Sequence, residues 1–125
     1  MTENINPIEL LKEEMDHDDL AIRVNAIHRL KTIIVLTGGE TFKNQLLPYL
    51  EGLIKKEDDE VLFAIAEELG NVSSMLHGGY TIILPALETL ASVEETVVRD
   101  AAVKSLQTVS GLMNDSEVQN NFIPL

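Results

Sequence analysis

The sequence predicts an all-α solenoid of about three antiparallel helix pairs, followed by the start of a fourth pair. The first observation is an internal repeat, in which a short apolar segment with a proline recurs at Pro48, Pro85 and Pro124, at intervals of 37 and 39 residues. The second is the spacing of apolar residues within each repeat, three or four positions apart, as on one face of a helix. A helical pattern that recurs about every 40 residues is typical of helix pairs that bury their apolar faces on one another.

The composition fits one domain of this kind. A chain of 125 residues has the usual size of a single cooperative unit. Hydrophobic residues make up 45% of the chain but aromatic residues only 4%, so the core must be built from Leu, Ile, Val and Ala. We predict a single repeat domain over residues 1–125, with units at about 5–39, 40–78 and 79–114 and a partial unit at 115–125.

The register of the repeat extends through both halves of each unit without a gap. In the first predicted helix, the equivalent apolar positions are Ile8, Leu47, Leu84 and Ile123; Leu11, Leu50 and Leu87; and Met15, Ile54 and Ala91. In the second predicted helix, they are Ile22, Val61 and Val98; Ala26, Ile65 and Ala102; and Leu30, Leu69 and Leu106. Columns that agree in this way indicate structural repetition rather than chance.

A polar segment separates the two helices of each unit and predicts a tight turn there. These segments are residues 16–19, 55–60 and 92–96. Asn6 before Pro7 predicts the N-cap and the first position of the first helix, and Ser92 with Glu95 repeats the capping-box pattern in the third unit. Helix starts are therefore expected directly after these residues.

Glycines predict where helices end and where they approach one another. The pairs Gly38–Gly39 and Gly78–Gly79 fall between units, where residues that adopt positive φ can end a helix and reverse the chain. Gly70 lies inside a predicted helix, where glycine costs about 1 kcal/mol relative to alanine. We interpret Gly70 as a site of close helix packing, with a hinge in that helix as the alternative.

The charge balance restricts the classes of partner. The chain has 9 basic and 21 acidic residues and a net charge of −12, which repels nucleic acid and anionic membranes. An acidic surface of this kind serves solubility or a partner with basic segments. We predict neither nucleic-acid binding nor membrane association, and we expect any partner to be a protein.

Missing residue types and segments exclude other classes. With no cysteine, the chain has no disulfide, no thiolate metal site and no cysteine nucleophile. Its first residues lack the basic and apolar regions of a secretory signal, and no segment has the roughly 18 to 20 apolar residues of a membrane helix. We expect a soluble intracellular protein in the cytoplasm, with the nucleus as an alternative.

No set of residues predicts catalysis, a metal site or a cofactor site. The strongest contrary pattern is Asp16-His17-Asp18-Asp19, whose carboxylates and imidazole could bind a divalent cation. Consecutive residues seldom converge on one ion, so we interpret this segment as a solvated turn that caps a helix. His28 falls off the apolar stripe of its helix and is predicted to lie on the surface.

The sequence resembles HEAT repeats in two segments that follow the turns, residues 22–26 (IRVNA) and 98–102 (VRDAA). Three further segments, residues 46–50, 58–70 and 91–100, resemble the first three repeats of the scaffold subunit of protein phosphatase 2A, also called its structural or 65 kDa-type regulatory subunit. The resemblance runs through nearly the whole chain. It implies an α-solenoid of HEAT-type helix pairs without catalytic activity.

The resemblance also implies how the chain binds its partners. In that family, a long horseshoe of repeats holds regulatory subunits near its N-terminal end through the turns inside each repeat, and the catalytic subunit near its C-terminal end. The chain is therefore expected to present its turns to regulatory subunits, and to bind the catalytic subunit only if it continues further. The alternative is a free-standing HEAT-repeat adaptor in another assembly, for example in transport or trafficking.

The contact residues implied by the resemblance are those of the three turns. They are Asp16, His17, Asp18, Asp19, Glu57, Asp58, Asp59, Glu60, Glu94, Glu95 and Thr96. Glu60 is the best single candidate. Lys55 and Lys56 make the second turn mixed in charge, so the partner surface is not expected to be purely basic.

Two arginines, Arg23 and Arg99, occupy the same position directly after a turn. Resemblance to HEAT-type units implies that each ties its turn to the neighbouring repeat, with direct contact to a partner as the alternative. The predicted carboxylate partners are Asp18 or Asp19 for the first arginine and Glu94 or Glu95 for the second.

The last residues form an apolar stripe on an incomplete helix pair. The stripe consists of Val118, Phe122, Ile123 and Leu125. Because no second helix follows to cover it, we expect self-association through this end, and we interpret the chain as a fragment or a short relative of a longer solenoid.

Overall fold

The computed structural model describes residues 6–76 and 80–113, without the side chains of Tyr80 and Met113. All regular elements within these ranges are helical. No helix in this part of the chain is long and apolar enough to cross a membrane. The Gly78–Gly79 pair and the C-terminal apolar stripe, with its predicted self-association, lie outside the described residues.

The first helix pair begins where the caps predict. Helix α1 spans Pro7–Met15, and Asn6 caps it by accepting a 2.8 Å hydrogen bond from the Ile8 amide. Helix α2 spans Leu20–Ile27 and α3 spans Leu30–Thr37. The expectation of one continuous second helix is wrong, because the helix is interrupted at His28 and Arg29, whose side chains pair with Glu68 of a later helix and Glu14 of α1.

The second pair starts at the predicted glycine turn. Gly38 adopts a φ of +95° and ends α3. A continuous helical segment follows, made of α4 (Gly39–Thr41), a π-helical turn (Phe42–Leu46) and α5 (Leu47–Ile54). The wide turn lies directly before Pro48, which has no amide to donate to the carbonyl four residues back. The second helix, α6, spans Asp59–Val72 and continues as a 3-10 turn over Ser73–Leu76.

The third pair consists of a 3-10 turn (Tyr80–Ile83), α7 (Leu84–Leu90) and α8 (Thr96–Met113). The capping role predicted for Ser92 is wrong. Its hydroxyl donates a 3.1 Å hydrogen bond to the Glu88 carbonyl, so it satisfies the end of α7 rather than the start of α8.

The core follows the repeat register. Leu11, Leu50 and Leu87 are at most 1% exposed, and the column Ala26, Ile65 and Ala102 is fully buried. The partly exposed members of the six columns are Ile22, Leu84, Ala91 and Leu106. All four lie in the first or the third helix pair. Each of these pairs has another helix pair packed against it on only one side within the described residues. Stacking therefore completes the core, as expected for a solenoid.

Gly70 lies where two second helices meet, which confirms its prediction as a close-packing site. A Cβ atom at this position would come within 2.8 Å of the Ser105 Cβ and 3.1 Å of the Ser105 Cα. The Ser105 hydroxyl donates a 2.6 Å hydrogen bond to the Ala66 carbonyl in the same contact. Helices α6 and α8 thus approach too closely at Gly70 to leave room for a Cβ atom.

Candidate protein-binding edge

Three turns join the first helix of each pair to the second: turn 1 (residues 16–19), turn 2 (residues 55–58) and turn 3 (residues 91–95). The helices that leave these turns are packed in order, α2 against α6 and α6 against α8. The turns therefore follow one another along one side of the stack, which we call the turn edge. Two arginine side chains, Arg23 and Arg99, contribute to its shape.

Arg23 connects turn 1 to turn 2. Its Nη1 donates to the His17 and Asp18 carbonyls at 2.8 and 3.1 Å. Its Nε lies 3.2 Å from Glu57 Oε1, and its Nη2 lies 2.9 Å from Asp58 Oδ2. We call this set of contacts the Arg23 bridge. It confirms that Arg23 ties its turn to the neighbouring repeat.

The carboxylate partners predicted for Arg23 are wrong. Asp18 contributes its backbone carbonyl rather than its side chain, and the Asp19 carboxylate accepts a 2.9 Å hydrogen bond from the Ala21 amide as the N-cap of α2. A carboxylate that caps a helix is already engaged by backbone amides and aligned with the helix dipole. The acidic partners come instead from turn 2 of the next repeat.

Arg99 repeats the backbone half of this arrangement. Its Nη1 donates to the Val93 and Glu94 carbonyls at 3.1 and 2.7 Å, and its Nη2 lies 3.2 Å from Thr96 Oγ1. The predicted pairing with the Glu94 or Glu95 carboxylate is wrong, since Glu94 contributes its backbone carbonyl rather than its carboxylate. Arg99 thus fixes the path of turn 3 within its own repeat.

Replacing Arg99 with Ala is expected to lower the free energy of unfolding by about 1–2 kcal/mol, because a charged donor to two turn carbonyls is lost. The thermal midpoint, followed by circular dichroism, measures this. Lys104→Ala, which removes an exposed cation on the same helix, is the matched control and should leave the midpoint nearly unchanged. An unchanged midpoint for Arg99→Ala with loss of partner binding would assign Arg99 to direct contact instead.

The predicted contact residues differ in their exposure and in the groups that they bind. Ten of the eleven are exposed, whereas the Glu57 side chain is only 10% exposed and is covered by Arg23. Asp58 is bonded to the same arginine, and Asp19 caps α2. His17 Nδ1 accepts a 3.4 Å hydrogen bond from the Asp19 amide. Within residues 6–76 and 80–113, no three histidine or acidic side chains converge in a way that would hold a metal ion.

The pKa of Tyr49 is affected by the acidic side chains near turns 1 and 2. Partial burial raises the pKa of its phenol, and the Asp16 and Glu57 carboxylates raise this pKa further. Lys12 lies over the ring, with its Nζ 5.2 Å from the ring centre. The edge is therefore acidic around this ring, although Lys12 offsets part of that charge.

An open groove of about 560 Å³ lies beside the turn edge, between the second helices of the three pairs. We call it the second-helix groove. Its lining residues are Val24, His28, Asp59, Glu60, Phe63, Glu95, Val97 and Val98. Most of these were not predicted as site residues, because they come from three helices whose relative positions depend on stacking. The sequence did contain one signal of an exposed apolar site. Val97, next to the buried Val98, is a valine outside the register of the buried columns.

His28 lies at one side of the groove. It is on the surface, as predicted, but it also contacts a neighbouring repeat. Its side chain is 42% exposed, yet Nδ1 lies 2.9 Å from Glu68 Oε2. Glu68 is 8% exposed on α6. The pair is a second contact between neighbouring repeats, whereas the adjacent Arg29 pairs with Glu14 inside the first repeat.

Comparison with known proteins finds similar chains in yeast, human and plant. The chain is 41% identical over 125 residues to the A-type regulatory subunit of protein phosphatase PP2A from Saccharomyces cerevisiae, an alignment that covers 98% of the chain and 20% of that protein. It is 42% identical over 125 residues to the beta isoform of the 65 kDa A-type regulatory subunit of serine/threonine-protein phosphatase 2A from Homo sapiens, covering 98% of the chain and 21% of that protein.

A plant relative agrees with these two. The alpha isoform of the 65 kDa A-type regulatory subunit from Arabidopsis thaliana is 41% identical over 126 residues, with 98% of the chain and 21% of that protein covered. The chain thus spans about a fifth of the length of the curated relatives it matches. No family profile matches the sequence.

Proposed function

Because this chain is homologous along 98% of its length to the 65 kDa A-type regulatory subunits of protein phosphatase 2A, we propose that it is a non-catalytic scaffold of that phosphatase. In this proposal, the turn edge presents its exposed side chains to regulatory subunits of the holoenzyme. The homology carries the assignment to the phosphatase, and the Arg23 bridge, which holds turn 1 and turn 2 in one arrangement, supports the role of the turn edge. A preorganised edge binds a partner without a further cost for ordering its turns.

The exposed carboxylates supply the chemistry of recognition. Glu57 and Asp58 serve the bridge and Asp19 caps α2, so direct contact falls to the other acidic side chains in the turns or directly after them. These are Asp16, Asp18, Asp59, Glu60, Glu94 and Glu95. Rim charges of this kind steer a partner with basic segments and fix its register more than they add affinity.

The absence of catalysis in this proposal is supported by the names of the relatives, which are regulatory subunits. The chain spans about a fifth of the length of its relatives. In this proposal, the catalytic subunit binds only if further repeats follow. Regulatory subunits are therefore the partners we propose for this segment.

Binding of the chain to a panel of phosphatase 2A regulatory subunits tests the proposal. We expect the double variant Glu60→Ala/Glu94→Ala to bind about five- to tenfold more weakly, because each exposed charge contributes up to about 1 kcal/mol. Surface plasmon resonance with immobilised chain measures the affinities at low ionic strength.

The matched control is Glu9→Ala, which removes an exposed glutamate in the first turn of α1, at the end of that helix far from turn 1. It should bind as tightly as the parent chain. Equal binding by all variants would remove the contact assignment. Failure of the parent chain to bind any regulatory subunit would contradict the function itself.

A further inference from the structure

We propose that the second-helix groove binds a segment of a partner protein in which one large apolar side chain is flanked by lysine or arginine residues. The inference deepens the proposed function by giving the chemistry of the partner. It rests on the proposed function in one respect, that the groove binds a protein. It adds a recognition surface between the helices to the contacts of the turn edge.

The floor of the groove is apolar and comes from all three repeats. Val24 of α2, Phe63 of α6 and Val98 of α8 contribute to it, and Val98 is only 1% exposed. Val97, at the start of α8, is 54% exposed beside them. An exposed valine next to a partly buried phenylalanine offers an apolar side chain a surface that would remove part of it from water.

The rim of the groove is acidic. Asp59 and Glu60 lie in the first turn of α6, and Glu95 directly precedes α8. None of these three carboxylates forms an ion pair within 4.0 Å with a basic side chain of the described residues. The imidazole of His28, the basic group in the lining, is turned to Glu68 at 2.9 Å. The rim therefore has negative charge that no neighbouring side chain in the described ranges neutralises.

This combination selects the occupant. A purely apolar segment would cover the rim carboxylates without pairing them, at a cost in desolvation. An acidic or phosphate-bearing segment would be repelled by the rim and by the net charge of −12. A segment with flanking cations pairs with the rim while its apolar side chain contacts Val97 and Phe63. The groove volume of about 560 Å³ lies within the range of sites that bury a ligand of this size.

A second open groove, at the α6–α8 interface, shares Phe63 and Val97 with the second-helix groove and adds Val103, so it forms an extension of that surface. The charged side chains of this extension are Glu67, Asp100 and Lys104. Lys104 makes this end less acidic than the rim at Asp59 and Glu60. The flanking cations are therefore expected mainly on the side of the segment that lies nearest the turns.

A fluorescein-labelled peptide with one leucine between pairs of lysines is the probe, and fluorescence anisotropy measures its affinity for the 125-residue chain. Val97→Lys is expected to raise Kd at least about tenfold, since it replaces an apolar contact with a repelling charge. Glu60→Lys is expected to raise Kd about threefold to tenfold. Replacing the leucine of the peptide with serine, or its lysines with glutamates, should abolish binding.

Matched variants separate the groove from general charge effects. Val35→Lys changes a comparably exposed valine on α3, and Glu88→Lys changes an exposed glutamate on α7, both outside the groove. Both should bind the peptide as the parent chain does, and circular dichroism should show all four variants folded. Absence of peptide binding, or equal weakening by Val97→Lys and Val35→Lys, would overturn the proposal.

The regulatory-subunit panel distinguishes this proposal from the previous one. Peptide binding that is lost in Val97→Lys supports the groove even if no regulatory subunit binds the parent chain, in which case the phosphatase assignment alone fails. Regulatory subunits that bind the parent chain, with a peptide that does not bind at all, would support the turn edge and overturn the groove.

Discussion

Replacing Gly70 with Ala is expected to lower the free energy of unfolding by up to about 2 kcal/mol, because inserting a methyl group into a closely packed contact usually costs about 1–3 kcal/mol before the gain in helix propensity is subtracted. The new Cβ would lie 2.8 Å from the Ser105 Cβ and 3.1 Å from the backbone Cα of Ser105, so a rotamer change of Ser105 cannot relieve the contact. Helices α6 and α8 must separate. The gain in helix propensity from Gly to Ala, about 1 kcal/mol, offsets only part of this cost. Urea unfolding followed by circular dichroism measures the change.

Two comparisons make this expectation specific. Gly52→Ala on α5 is the matched control, since a Cβ there meets nothing within 4 Å, and it should leave stability unchanged or increase it. Ser105→Gly in the Gly70→Ala background removes the closest atoms and should couple favourably with Gly70→Ala in a double-mutant cycle. A stabilised Gly70→Ala variant would mean that the two helices are not in close contact, and would revive the hinge interpretation.

The sequence predicted the stack because its repeat is carried by buried residues. Positions such as Leu50 and Ile65 are buried by neighbours on both sides, so the periodicity of the sequence and the periodicity of the core coincide. The same reasoning fails where a repeat has a described neighbour on one side only, as at Ile22 and Leu106, which are partly exposed. Gly70 was identified because a glycine inside a helix is costly unless the space is needed.

The interactions between repeats were predicted less well, because they depend on how far one repeat is displaced relative to the next. Local spacing made Asp18 and Asp19 the obvious partners of Arg23, but its carboxylate partners Glu57 and Asp58 lie 34 and 35 residues away. The pairing of His28 with Glu68 spans 40 residues and carries no local signal. The groove shares this limit, since Val24, Phe63 and Val97 are brought together only by stacking.

Replacing Arg23 with Ala is expected to lower the free energy of unfolding by about 2–3 kcal/mol, because hydrogen bonds to charged groups are lost at a site where both Arg23 and Glu57 are largely covered. The Asp58 contact contributes little of this, since its side chain is 63% exposed and screened by water. Arg23→Lys should lose most of the same stability, because one ammonium group cannot replace a planar fork that bonds two carbonyls and two carboxylates. Lys31→Ala, which removes an exposed cation on α3, is the matched control and should leave stability nearly unchanged.

A double-mutant cycle of Arg23→Ala with Glu57→Gln separates the bridge from a general loss of packing. The two changes should couple by more than about 1 kcal/mol, whereas effects that add to within about 0.5 kcal/mol would show that Arg23 does not act through Glu57.

Regulatory-subunit binding supplies a second readout. If the bridge preorganises turns 1 and 2, Arg23→Ala should weaken binding even at temperatures where the chain remains folded, because the partner must then order the turns itself. Loss of stability with unchanged binding would confine the bridge to folding and leave recognition to the exposed carboxylates alone.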